Sequence, residues 1–135
     1  MGKVIGIDTA LFIYLLEENE RYIKKVERIF SMLEHGRMRG VFSVVGLIEI
    51  LTGPKKQKNY ALASHYREII THFPHLTIVG INEQIVEVAS DLRARYSIAT
   101  PDAIHIATAI DSGADAFITN DKALKKIKEI SIQLL

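Results

Sequence analysis

Cysteine is missing from this sequence. With it go disulfide staples, thiolate nucleophiles and zinc sites built on sulfur. Such a chain is compatible with a reducing compartment. Also missing is any run near the ~20 apolar residues needed to span a bilayer. The stretch Val4-Ile5-Gly6-Ile7 is too short for a signal-peptide core and ends in the carboxylate of Asp8. Gly2 follows Met1, but position 6 is Gly6, where the myristoylation pattern needs Ser or Thr. The expectation is a cytoplasmic protein without membrane attachment. Charge of one sign is scarce too: the net charge of +1 gives no compositional sign of nucleic acid. No repeat, low-complexity tract or Gly/Ser linker breaks the chain, so residues 1–135 read as one domain. Neither a P-loop nor GxGxxG is present, which removes the main support for a nucleotide-binding module.

What is present is an ordinary globular composition, 48% apolar and 24% charged over 135 residues. That length buries roughly two-thirds of the unfolded surface. Apolar periodicity predicts strands at Val4 to Ile7, Gly40 to Ser43, Leu76 to Ile81, Ala116 to Thr119 and Ile130 to Leu134. Between them it predicts helices at Thr9 to Glu18, 20–35 and Val44 to Thr52, the last ended by Gly53-Pro54. A basic loop, 54–59, then leads into a helix reaching Phe73. Further helices follow at 82–96, Pro101 to Asp111 and Lys122 to Glu129. Uniformly apolar strands alternating with helices imply an α/β fold, a three-layer α/β/α sandwich around a parallel sheet of about five strands. Ligands in such sheets bind beyond the carboxyl ends of the strands.

Four carboxylates gain meaning from that rule. Asp8 ends the first strand, though Asp-Thr before an apolar helix is also an ordinary helix start. Asp121 repeats the arrangement after Phe117-Ile118-Thr119-Asn120, with the same capping alternative. Asp102 follows Thr100-Pro101, with Thr100 as N-cap and Pro101 as first helical residue. There it also complements the helix dipole. Glu49 resists such an explanation, because Val44 to Leu51 is apolar almost all the way round. Small residues on its face, Gly46 and Gly53 among them, leave room for a ligand. An unpaired buried carboxylate costs several kcal/mol or takes up a proton, and a nearby cation relieves that cost. Mg²⁺ or Mn²⁺ suits a set of hard oxygen donors, and such an ion can activate water against a phosphodiester.

The segments Ile7-Asp8-Thr9-Ala10, Ser43 through Glu49, Thr100-Pro101-Asp102-Ala103-Ile104-His105 and Thr119-Asn120-Asp121 together resemble PIN domains, most closely VapC-type toxins of toxin–antitoxin pairs. The resemblance spans essentially the whole chain. It implies a Mg²⁺- or Mn²⁺-dependent endoribonuclease with Asp8, Glu49, Asp102 and Asp121 as catalytic and metal-binding acids. Thr119 matches the hydroxyl residue two places before the last acid. It also implies a homodimer and a small antitoxin protein as partner. His105 stands where many relatives carry an aliphatic residue, either as a solvated or locally bonded histidine or as a group orienting Asp102 or meeting RNA. Lys55, Lys56, Lys58, Arg93, Arg95 and Lys122 are candidates for tracking phosphates, while Tyr14 and Tyr22 read as packing or interface residues.

Rival readings fail on particular residues. A phospho-receiver needs an aspartate where this chain has Val79-Gly80-Ile81-Asn82, and a late lysine where it has Thr119-Asn120-Asp121. A haloacid-type phosphatase needs Asp-x-Asp, but position 10 is Ala10. Two alternatives stay open: an RNA-binding or assembly module of the same fold with little turnover, and a housekeeping RNA-processing nuclease.

Overall fold

The computed structural model describes residues 2–135, so Met1, the start of the amino-terminal segment, lies outside the described residues. The chain runs β1 (Lys3–Ile7), α1 (Thr9–Leu16), α2 (Ile23–Glu34), β2 (Met38–Ser43), α3 (Val44–Lys56), α4 (Tyr60–Thr71) and β3 (Leu76–Val79). It continues through α5 (Glu83–Tyr96), α6 (Thr100–Asp111), β4 (Ala116–Thr119), a 3₁₀ turn (Lys122–Lys126) and β5 (Ser131–Leu134). The five strands are parallel, in the order β3-β2-β1-β4-β5. From β1 the chain winds outward to β3, then returns to the other side of β1 for β4 and β5. The strand order therefore reverses between β1 and β4, the point at which sheets of this kind bind ligands, in the crevice beyond the carboxyl ends of their strands.

Side-chain alternation along β1 divides the interior in two. Ile5 and Ile7 enter a core with Leu11, Phe12, Val26, Phe30, Phe42 and Ile118. The opposite core gathers Ile85, Leu92, Ile106, Phe117, Leu124 and Ile132 from α5, α6 and the last strands. Gly6 faces this second core, where a Cβ would lie 2.5 Å from the Ala109 Cβ and 2.9 Å from Phe117 Cδ1. Its missing side chain lets α6 settle directly on β1.

Several boundaries differ from the sequence expectation, among them the end of the first helix at Leu16 and of the third strand at Val79. Three of the differences have a clear physical cause. Helix α3 does not stop at Gly53-Pro54 but runs to Lys56. Proline disfavours helical backbone in the preceding residue mainly by crowding its Cβ, and Gly53 has none. Lys58, at φ 58°, then takes the left-handed position that ends the helix, and Asn59 N bonds back to Pro54 O at 2.9 Å. The helix expected over Lys122 to Glu129 is one short 3₁₀ stretch. Its steeper rise suits a short return between neighbouring parallel strands, and it buries Leu124 and Ile127 three residues apart. Helix α6 starts one residue early: Ala99, not Thr100, is its N-cap, with Ala103 N on Ala99 O at 3.0 Å. Pro101 remains in the first turn, where its missing N–H costs nothing. No helix among the described residues is long and apolar enough to cross a membrane.

The Gly6 contact is testable. Gly6→Ala forces α6 off β1, because the obstructing Ala109 Cβ is fixed to the helix backbone. Urea denaturation should show a loss of about 1–3 kcal/mol with an unchanged slope; wild-type stability would refute the close packing.

Candidate active site

The crevice between β1 and β4 is built by one buried threonine. Asp8 stands just past β1, its N–H donating to Ile118 O at 3.0 Å and joining the two strands. Although Asp8 occupies the N-cap position of α1, its carboxylate makes no cap hydrogen bond. It accepts instead from Thr119 Oγ1 at 2.6 Å. The same hydroxyl accepts from Asp121 N at 3.0 Å. Thr119 is fully buried, its hydroxyl engaged by Asp8 on one side and by Asp121 on the other. Asp121 does cap the following turn, accepting from Ala123 N at 2.9 Å through Oδ1.

Glu49 comes from α3, whose start is fixed by Ser43 Oγ accepting from Val45 N at 3.1 Å. The carboxylate is neither buried nor unpaired, contrary to the sequence reading: its side chain is 38% exposed. Oε1 accepts from Thr9 Oγ1 at 2.8 Å and lies 2.7 Å from His105 Nε2. The small neighbour Gly46 does not leave ligand space either. A Cβ there would fall 2.1 Å from Phe42 Cζ, so Gly46 makes room for the Phe42 ring. That ring stacks on His105, centroids 5.9 Å apart and planes at 17°. His105 is therefore buried, at 4% exposure. Its ring bonds Glu49 and Thr9 rather than Asp102. Its Nδ1 has no hydrogen-bond partner among the described residues. The hydrogen bond from His105, assisted by Thr9, holds the Glu49 carboxyl below the ordinary glutamate value, against the opposing effect of burial.

Asp102, half-buried in the first turn of α6, accepts no hydrogen bond among those that shift its acidity. Burial, and then the negative charges of Asp8, Asp121 and Glu49, push its carboxyl above the ordinary aspartate value; His105 acts the other way. The other three acids thus all lie within electrostatic reach of Asp102. Three are anchored through one oxygen, Asp8 Oδ2, Glu49 Oε1 and Asp121 Oδ1, and no protein donor among the described residues takes the second. Among the described residues no three of His, Cys, Asp and Glu are drawn together tightly enough to wrap a metal ion. The donors still fit Mg²⁺ or Mn²⁺. All are hard oxygens carrying uncompensated charge, and Mg²⁺ is commonly held by one or two carboxylates while keeping several waters.

The sequence-predicted basic residues scatter. Lys55 and Lys56 end α3, and Lys58 sits in the turn beyond, all exposed. Arg93 Nε donates to Ile98 O at 3.1 Å, bracing the α5–α6 connection. Arg95 pairs with Glu129, which precedes the amino end of β5, away from the crevice. Lys122, exposed beside Asp121, is the cation nearest the site in sequence. Tyr14 stacks on Tyr22 at 4.6 Å and accepts from the Asn120 amide at 3.1 Å. Sequence reasoning missed Thr9, whose signal was a polar side chain at the buried start of an apolar helix.

The sequence matches the PIN domain over residues 5–130. No curated protein matches it. Among solved structures, VapBC2 of Rickettsia felis, bound to a fragment of its promoter DNA, is 18% identical with a TM-score of 0.75, over 97% of this chain and 98% of that one. A toxin–antitoxin complex from Klebsiella pneumoniae is 26% identical with a TM-score of 0.70, over 94% of each chain. VapC20 of Mycobacterium tuberculosis, a toxin that cleaves the sarcin–ricin loop, is 14% identical with a TM-score of 0.71, over 95% of this chain and 98% of that one.

The raised pKa of Asp102 has a thermodynamic sign. Between its unfolded and folded values the folded chain holds a proton that the unfolded chain has released. Stability therefore falls as pH rises through that window, and the ionised group burdens the fold at every higher pH. Glu49, shifted downward, has the opposite sign: its contribution is present above its unfolded value and is lost as pH falls through the folded one. Asp102→Asn should accordingly melt above wild type at pH 7 in a chelating buffer, with the gap closing as pH falls toward 4. A calorimetric scan placing the variant at or below wild type at pH 7 would contradict the shared field of the four acids.

Proposed function

Because the chain belongs to the PIN domain family, we propose that it is an endoribonuclease dependent on Mg²⁺ or Mn²⁺, acting as the toxin of a toxin–antitoxin pair. The observation that carries this reading is the state of Asp102. Three further carboxylates, from separate segments of the chain, bear on it at the switch point of the sheet. An acidic cluster with spare oxygens is suited to a cation and repels a phosphodiester without one. Asp8, Glu49, Asp102 and Asp121 are the residues that would hold the ion, directly or through waters it retains. When bound, it supplies charge to the phosphoryl oxygens and a water of lowered pKa.

The chain's own residues do the rest. Thr119 fixes Asp8 and the backbone of Asp121 at one spacing, so the acids on the two adjoining strands do not drift apart. Asp102, with no hydrogen-bond donor among the described residues, keeps both oxygens for the ion. Lys122, and Lys55, Lys56 and Lys58 at the far end of α3, are the exposed cations available to the RNA backbone. The solved toxin–antitoxin complexes support an antitoxin partner, and the family likeness supports a homodimer. This reading places the protein in the cytoplasm, with its RNA.

Purified protein should cut a structured RNA when Mn²⁺ is supplied and stop on chelation. Asp8→Asn and Asp102→Asn should each lower the rate by more than about 100-fold. Mn²⁺ should also raise the melting temperature of wild type, and much less that of Asp102→Asn. RNA bound tightly but left intact by wild type would favour the binding-module alternative. Growth arrest on expression, relieved by a small neighbouring open reading frame, separates a toxin from a housekeeping nuclease.

A further inference from the structure

Helix α3 gives Glu49 no hydrogen-bond donor; its anchors come from two other helices. Thr9 Oγ1 of α1 donates to Oε1 at 2.8 Å, and His105 Nε2 of α6 lies 2.7 Å from the same oxygen. The two anchors are 3.1 Å apart. Both are buried, the His105 side chain to 2% exposure and Thr9 to 6%. The His105 ring is clamped against Phe42, which fills the space left by Gly46. A ring so held aims Nε2 in one direction. Oε1 is thus doubly engaged, and Oε2 alone is left for a cation.

Resting on the metal-site reading above, we propose that His105 and Thr9 are positioning residues that hold Glu49 as a one-oxygen ligand, so that the site takes a small six-coordinate cation in preference to calcium. Ca²⁺ accepts six to eight oxygens in flexible geometry and readily uses both oxygens of one carboxylate. Mg²⁺ demands near-octahedral geometry from single oxygens and water. A carboxylate with one oxygen tied down by two buried donors serves the second requirement and not the first. Releasing it restores both its rotamers and its second oxygen.

Isothermal titration of Mn²⁺ and Ca²⁺ into the full chain tests this. His105→Leu retains the packing against Phe42 but removes the donor. Its Mn²⁺ affinity should fall about ten- to a hundredfold, with Ca²⁺ affinity falling less, so that the Mn²⁺/Ca²⁺ ratio drops. His105→Gln places an amide nitrogen near the position of Nε2 and should restore the ratio. His105→Asn places one near Nδ1 and should not. Thr9→Val, close in volume, should shift the ratio in the same direction by less, and it decides the matter should His105→Leu not fold. In cleavage assays these variants should change the Mn²⁺ requirement and leave the KM for RNA unchanged, because neither residue reaches the surface. An unchanged ratio in folded His105→Leu, or equal behaviour of the Gln and Asn variants, would overturn the proposal. Wild type that binds Mn²⁺ but cuts no RNA would sink the nuclease reading alone; wild type that binds neither cation would sink both.

Discussion

Mutual repulsion among four carboxylates is the constraint around which this molecule is arranged. Asp8, Glu49, Asp102 and Asp121 are distant in sequence, and each contributes negative charge to a crevice that a stability-driven fold would leave apolar or neutral. The cost appears in Asp102, which is driven toward its protonated form by burial and by the other three acids. Native folds persist with such strain only when the surroundings over-determine the geometry. Here the surroundings are a parallel sheet with a reversal of strand order between β1 and β4, and side chains that tie individual carboxylate oxygens down.

The anchoring follows a simple division. Thr119 stands at the end of β4 with its hydroxyl shared between the Asp8 carboxylate and the Asp121 backbone. Thr9 and His105 do for Glu49 what Thr119 does for Asp8. The hydroxyls of Thr119 and Thr9 satisfy one oxygen of a carboxylate without cancelling its charge, which a lysine or arginine would do. His105 differs, since its charge acts against the field that the other acids exert on Asp102. Asp102 has no such tether and carries the largest share of the unrelieved repulsion.

Much of this was readable in the sequence, for definite reasons. The strands are short uniform apolar runs, so their number, parallel pairing and carboxyl-end acids followed from periodicity alone. Asp8 and Asp121 fall on one edge because parallel strands put all their ends there. Less legible were features that depend on partners brought from elsewhere. His105 looked like a surface residue because its bonds to Glu49 and Thr9 span 56 and 96 positions. Gly46 looked like ligand space because nothing local shows that the Phe42 ring occupies it. The passage of α3 through Gly53-Pro54 ran against a rule whose steric basis the glycine removes. The 3₁₀ turn after Asp121 reflects the short distance between two strands, a tertiary quantity absent from helical periodicity.

The site also lies at the seam between the two cores, and that placement has consequences for how it tolerates change. Glu49 takes its geometry from the aromatic side, where Phe42 packs on Phe12 at 4.6 Å and Phe12 on Phe30 at 4.7 Å. Asp102 takes its geometry from the small-residue side, where Ala103, Ala107 and Ala109 bring α6 down onto the sheet over Gly6. Close-packed interiors transmit volume changes rather than absorbing them. An enlargement in either core therefore moves one set of acids relative to the other. His105 is the side chain that opposes this, since it belongs to α6 yet bonds to α1 and α3 and stacks on β2. A histidine buried with one ring nitrogen unpartnered is a costly way to fill a core position. What that cost sets in place is the link from α6 to α1, α3 and β2 across the two halves.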